Sequence, residues 1–251
     1  MHSGSQTFYG AFYGSVGDAQ RKAAFVGSLL SGRPGRIVDT AAGVGDVAFL
    51  LTREGHLVFG FEPCQEMFAV LFDRFSRAAD IRHLAVPFPM RFDDYPLDPQ
   101  ADAVLASNHW SHLDAPGRES LLHRSLRGLR PGGVLVMNCV QDTPLRADQP
   151  WDEVHKRVFG NLVIRHLASS MGAPGGDSRH IRFEYRMEYE GAFVHAESAE
   201  FVLTLDSPDS VCAKLAAVGF VDIRIRGGFD DTDYEPRLPG FVVIAHKPSE
   251  E

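Results

Sequence analysis

The sequence predicts an α/β protein: a mostly parallel sheet with helices on both faces and a run of antiparallel strands inserted into it. Three observations carry that reading. Short apolar runs alternate with helical periods over residues 36–140, the pattern of strand–helix–strand crossovers. Turns bearing Gly or Pro separate these elements. Further on the period changes to two, with Arg182, Glu184, Arg186 and Glu188 alternating with Phe183, Tyr185, Met187 and Tyr189. That is the pattern of an antiparallel strand with one wet face.

In chain order, a helix is predicted over 17–30, where Ala23, Ala24, Val26, Leu29 and Leu30 gather on one side; Ser31-Gly32-Arg33-Pro34-Gly35 ends it. Arg36-Ile37-Val38-Asp39 is a short buried strand, and a helix over 46–53 follows, closed by Gly55. A strand over 56–61, a helix over 65–77, a weaker strand over 81–85 and a strand over 101–106 come next. Asp114 caps a helix that Arg130-Pro131-Gly132-Gly133 terminates before a strand over 134–139. A polar loop then leads to a short helix over 151–159 and to strands over 161–168, 180–189 and 192–205. The last helix has Ser207 as N-cap, Pro208 at its first position and Gly219 beyond its end. Strands over 221–226 and 240–246 follow it. The expected organisation is one domain with four parts: an N-terminal lid and helix (1–34), a core (35–140), inserted strands (141–206) and a completing helix with strands (207–251).

Composition narrows the function. The 251 residues include 25 Lys and Arg against 33 Asp and Glu, a formal charge of −8. Such a balance offers no general attraction to nucleic acid or anionic lipid. No uninterrupted apolar run nears the roughly 20 residues that span a bilayer, and the first residues lack the pattern of a signal peptide. Cys64, Cys139 and Cys212 are widely spaced, which fits neither a disulfide framework nor a zinc site. The expectation is a cytoplasmic protein with no metal and no nucleic-acid or membrane partner; a homodimer is left open.

The informative segment is Asp39-Thr40-Ala41-Ala42-Gly43-Val44-Gly45-Asp46. A buried strand ends at an acid, and two glycines let the chain turn beside a ligand. The following helix points its free N–H groups at the same place. Glu62, at the end of the second strand, is placed to take the ribose hydroxyls of a nucleoside. Gly43-Val44-Gly45-Asp46-Val47-Ala48 also fits the dinucleotide pattern, but Asp46 and Asp39 would oppose a pyrophosphate. A cationic nucleoside suits this acidic cradle better.

Asp39 to Gly45 resembles the first motif of class I S-adenosylmethionine-dependent methyltransferases, in the variant with Ala for the first Gly. Gly60-Phe61-Glu62-Pro63-Cys64-Gln65-Glu66-Met67 is similar to their second motif, and Leu129-Arg130-Pro131-Gly132-Gly133 to the turn before their fifth strand. The resemblance covers about residues 35–140 and implies a Rossmann-like sheet with an antiparallel last strand. It implies S-adenosylmethionine as cofactor, held by Asp39, Ala41, Gly43 and Gly45, by Glu62, Pro63 and Met67, and by Ser107 and His109 after the fourth strand. Family members often carry Gly-Asp-Met-Arg after the third strand; here Phe88-Pro89-Met90-Arg91 stands in its place. Phe88 or Met90 is left to stack on the adenine, without the acid at its edge. The inserted strands resemble those of small-molecule methyltransferases from natural-product pathways, including amino-sugar N-methyltransferases. That likeness implies His112, in Ser107-Asn108-His109-Trp110-Ser111-His112-Leu113, as a catalytic base. It also implies an N-terminal lid in which Tyr13 meets the cofactor and Tyr9 the substrate.

The expected activity is methyl transfer to N, O or C of a small-molecule metabolite in a biosynthetic pathway. Two alternatives stay open: the same cofactor bound without methyl transfer, as a cyclase or binding protein, and an NAD(P)-dependent oxidoreductase on the same glycine turn. His166, His180 and His195 read as solvent-facing strand residues. Residues 229–235 read as an acidic loop that could attract a cationic substrate, and Trp151 as a further pocket-lining candidate.

Overall fold

A computed structural model describes residues 16–96, 100–141, 148–173, 176–230 and 232–249. The elements are α1 (Val16–Leu29), β1 (Arg36–Asp39), α2 (Asp46–Arg53), β2 (Leu57–Phe61), α3 (Gln65–Arg77), β3 (Ala85–Phe88), β4 (Ala101–Ala106), α4 (Ala115–Gly128) and β5 (Leu129–Val140). They continue with β6 (Gln149–Phe159), β7 (Leu162–Gly172), β8 (Ser178–Tyr189), β9 (Ala192–Thr204), α5 (Pro208–Val218), β10 (Val221–Arg226) and β11 (Gly240–His246).

The principal sheet runs β10-β11-β5-β4-β1-β2-β3. β1 lies between β2 and β4, parallel to both, with Ile37 beside Val58 and Ala103. β3 is parallel to β2, and β5 to β4. β11 is antiparallel to both β5 and β10, as the resemblance implied. Five parallel strands therefore end on one edge, and their connections converge there.

Alternation along the strands builds a core on each face. Val38, Val104, Leu135, Met137 and Val243 pack towards α4 and α5, with Leu121, Leu122, Val211 and Leu215. Ile37, Ala103, Leu105, Val136 and Ile244 face α1, α2 and α3, with Ala23, Val26, Leu51 and Leu71. Each fully buried Leu, Ile or Val contributes about 1.5–3 kcal/mol. Asp114 caps α4 by accepting from the Gly117 amide at 2.9 Å. Ser207 does the same for α5 from Ser210, and Gly219 ends that helix at φ 110°. Such caps are worth about 1 kcal/mol each.

The second sheet, β6-β7-β8-β9, is antiparallel throughout. One face buries Ile164, Phe183, Tyr185 and Ala199. The other carries ion pairs: Arg165 with Glu153 and Glu188, Arg186 with Glu184, and Arg182 with Glu200. This is the alternation read from the sequence.

Three expectations are corrected. The third strand is Ala85–Phe88, four residues later than expected, because 82–84 form a 3₁₀ turn. Residues 151–159 form most of β6 and are not a helix. His166 is buried against Tyr185, their rings 4.8 Å apart, whereas His180 and His195 are exposed as expected.

Asp206, between β9 and α5, joins the two sheets. Its Oδ2 accepts from Arg118 Nη1 at 2.6 Å and Trp110 Nε1 at 3.0 Å, and its Oδ1 from Lys214 at 2.7 Å. Arg118 also donates to the Trp110 and Thr204 carbonyls. Both members of the Arg118–Asp206 pair are buried, and removing one side of such a pair leaves a charge uncompensated. Arg118→Ala is therefore expected to lower unfolding stability in urea by about 3–5 kcal/mol. A change below about 1 kcal/mol would show that Lys214 alone holds the joint.

Candidate cofactor and substrate site

The site grows from the ends of β1 and β2. Beyond Asp39 the chain turns through Gly43 at φ 59° and Gly45 at φ 84°, the latter the N-cap of α2. A Cβ on Gly45 would lie 2.4 Å from Leu71 Cδ1, and one on Gly43 3.1 Å from Met67 Cε. Gly45 thus lets α3 close onto the turn, while Gly43 lies directly against Met67.

Glu62 binds this turn to the next helix. Its Oε2 accepts from the Gly43 amide at 3.0 Å and its Oε1 from the Cys64 amide at 2.8 Å. Each oxygen keeps acceptor capacity for a further donor. Burial raises its carboxyl above the usual range, and the two amides oppose that rise. Asp39 is less well served. It is 3% exposed, and the Ala41 amide reaches it only at 3.4 Å. Burial raises its carboxyl from 3.8 to about 7; the nearby Glu62 charge adds to the rise, and Ala41 and Lys22 oppose it. Lys22 was missed from the sequence: it reaches in from α1, paired with Asp18 at 2.7 Å.

Asp46 plays a different part from the one expected. Arg74 of α3 lies 2.5 Å from it, so its charge is compensated. The acidity facing a ligand therefore rests on Asp39 and Glu62.

β4 delivers the next group. Asn108, at φ 52°, is locked to Asn138 of β5: its amide donates to Asn138 Oδ1 at 2.7 Å, and Asn138 Nδ2 donates to Asn108 Oδ1 at 2.9 Å. This exchange sets the path of residues 107–112 away from the sheet. His109 Nδ1 lies 2.9 Å from Thr40 Oγ1, whose hydroxyl donates to the Leu105 carbonyl at 3.2 Å. With its one hydrogen so engaged, the hydroxyl accepts from Nδ1–H, which leaves Nε2 as an acceptor. Burial lowers the His109 pKa to about 4, so the ring is neutral at physiological pH. Ser107 is half-buried beside it.

His112 ends the 3₁₀ turn Trp110–His112; it is exposed, with its ring 5.2 Å from Phe201 of β9. It therefore stands between the edge of the principal sheet and the apolar face of the inserted one. Phe88 stacks on Phe61 at 4.9 Å and, like the half-buried Met90, belongs to an aromatic cluster with Tyr95. Ala41 is half-buried at the turn, and Pro63 is exposed between Glu62 and α3. Tyr9 and Tyr13 lie outside the described residues.

The remaining candidates sit apart. Trp151 lies on β6 under the Arg182 guanidinium, 4.8 Å from its ring. In the acidic loop Asp233 pairs with Arg226, Glu235 with Arg237, and Tyr234 donates to Gln141 Oε1 at 3.0 Å. Its described acids mostly answer local partners.

Sheet order and turn together define the fold of a class I methyltransferase. Residues 37–133 match the family model described as a methyltransferase domain. No curated protein matches the sequence. Among solved structures, the CcbJ methyltransferase of Streptomyces caelestis is 20% identical, with TM-score 0.75 over 92% of this chain and 90% of that one. A sugar N-methyltransferase of a Streptoalloteichus species is 19% identical, with TM-score 0.75 over 100% and 94%. An amino pentose methyltransferase from Micromonospora echinaspora, solved with S-adenosylmethionine bound, is 16% identical, with TM-score 0.71 over 96% and 94%. The residues at the turn fit that cofactor: a buried, under-coordinated carboxyl suits its ammonium, and the free acceptor capacity of Glu62 suits a ribose diol.

Asp39 gives a pH prediction. Its folded value of about 7 lies above its ordinary 3.8, so the cofactor-free fold holds this proton more tightly than the unfolded chain. The associated stability is complete below about pH 4 and is lost as pH rises to 7. Binding of a cationic ligand by Asp39 is expected to run the other way, strengthening as the carboxyl ionises. Thermal unfolding and calorimetric titration across pH 4–8 are expected to show both slopes in the native chain and smaller ones in Asp39→Asn, where the raised Glu62 carboxyl still contributes.

Proposed function

We propose that this protein transfers a methyl group from S-adenosylmethionine to a nucleophile of a small-molecule metabolite, an amine in particular, in a biosynthetic pathway. The buried Asp39 beside Glu62 is the observation that carries the reading. Two desolvated carboxylates with few internal donors favour a cationic nucleoside over a pyrophosphate. The sugar N- and amino pentose methyltransferases among the structural neighbours support an amine acceptor.

The cofactor supplies, when bound, an electrophilic methyl on a sulfonium. The chain supplies alignment and exclusion of water. Glu62 holds the ribose and Asp39 the ammonium, while Met67, beside Gly43, borders the nucleoside. Phe88 and Met90 flank the adenine, and Pro63, Ala41 and Gly45 shape the wall. Ser107 and the acceptor nitrogen of His109 receive donors from the cofactor or substrate. His112, between the two sheets, takes the proton released by the attacking amine. Tyr13 and Tyr9 contribute from the N-terminal segment to cofactor and substrate respectively.

Two measurements test this. S-adenosylmethionine is expected to bind in a titration calorimeter where NAD does not, and Glu62→Ala is expected to weaken that binding about tenfold or more by removing charge-assisted hydrogen bonds. For the base, His112→Ala is expected to lower kcat/KM about 10²–10⁴-fold. Full rate in that variant at every pH would remove His112 from the chemistry.

A further inference from the structure

β6 is the outer strand of the inserted sheet, and every residue of it except Val154 is exposed. Among the described residues, no strand pairs with its outer edge. A long open edge is a template for strand addition unless it is blocked. The single proline, Pro150, stands at its start, and the bulge and charges in its middle deter a regular or like-charged strand but not one with a matching bulge and opposite charges.

The strand's charges are arranged in a self-complementary order. Asp152 and Glu153 precede the centre of the strand, and Lys156 and Arg157 follow it. Antiparallel pairing of two copies about a twofold axis between Val154 and His155 sets Asp152 opposite Arg157 and Glu153 opposite Lys156. The same register sets Trp151 opposite Val158, which are 39% and 58% exposed.

Facing residues must also share a sheet face, and in a regular strand these could not, because their separations are odd. The register of β6 against β7 shifts between Glu153 and His155, a bulge that repairs the mismatch. Asp152 sits beside Ala168 and Arg157 beside Ile164, both on the apolar face. Glu153 pairs with Arg165 and Lys156 lies beside Arg165, on the ion-pair face. Trp151, under Arg182, and Val158, beside Val163, are on that face too. These three facing pairs then match in charge or apolar character and in side.

We infer that β6 pairs with β6 of a second copy of this chain, joining two inserted sheets into one continuous antiparallel sheet. Unlike charges opposite one another favour this register, and like charges would oppose it. The bulge excludes a regular strand from the same register, which makes a second copy the fitting occupant.

Light scattering on the full chain tests this, with a mass near twice 27.7 kDa expected at high concentration. Lys156→Glu sets Glu against Glu, and Glu153→Lys sets Lys against Lys; each is expected to weaken association about tenfold or more. The double variant, Glu153→Lys with Lys156→Glu, restores opposite charges across the axis and is expected to recover dimerisation. The Glu153–Arg165 contact is lost in the double variant as well, so recovery there reports the intermolecular pairs alone. Circular dichroism and cofactor binding confirm folding of each variant. A monomer at every concentration, or a dimer indifferent to both single changes, overturns the inference.

Discussion

Negative charge buried at the ends of two neighbouring parallel strands is the constraint on which the site depends. Removing a carboxylate from water costs several kcal/mol, and a charge-assisted hydrogen bond returns about 1.5–3 kcal/mol. Glu62 has two amide donors at good distance, whereas Asp39 has one long one. The balance explains why both carboxyls are raised and why Asp39 reaches about 7. Much of the local architecture keeps that arrangement in place. Asp39 lies opposite Gly60 in the β1–β2 register, and Gly45 admits Leu71. Arg74 draws Asp46 aside, so the helix start adds no further uncompensated charge.

The proposed acceptor side depends on a different device. The segment after β4 is held from beneath by the Asn108–Asn138 exchange and from the side by Trp110, whose indole meets Asp206. Asp206 also receives Arg118 and Lys214. One carboxylate thus fixes the turn that carries His112 and the point where β9 leaves the inserted sheet. The His112–Phe201 contact follows from that shared anchor. Ridges of apolar side chains alone would allow the sheet to slide, whereas a buried, directional ion pair gives one position.

Much of this was legible in the sequence, for identifiable reasons. Buried parallel strands read as short apolar runs, and β1, β4, β10 and β11 fall on the residues expected. The caps Asp114 and Ser207 are local chemistry and read correctly. β3 did not, because it contains Pro87, which weakens a strand reading although an outer strand tolerates it. β6 misled for a related reason. Trp151, Val154 and Val158 have helical spacing, but no helix neighbour awaits that stripe, and the hairpin with β7 overrides it. The His109 tautomer and the buried Lys22 had no sequence signal: both depend on residues brought together by the sheet, Thr40 for one and Asp39 for the other.

The two halves of the site differ in how they are encoded. The cofactor half is set by backbone turns and by acids at strand ends, features whose residue types are dictated by geometry and are therefore readable as motifs. The proposed acceptor half is an apolar sheet face, a neutral imidazole and an exposed one. Of its two histidines, His109 is fixed by Thr40 and kept neutral by burial, which fits it to accept a hydrogen bond without carrying charge. His112 stands in the open between the sheets, where solvent supports a positive charge on its ring. A proton leaving an amine needs an acceptor that can become cationic, and burial denies His109 that state. The division of labour proposed for the two imidazoles, with His109 positioning and His112 accepting the proton, rests on that difference in solvation.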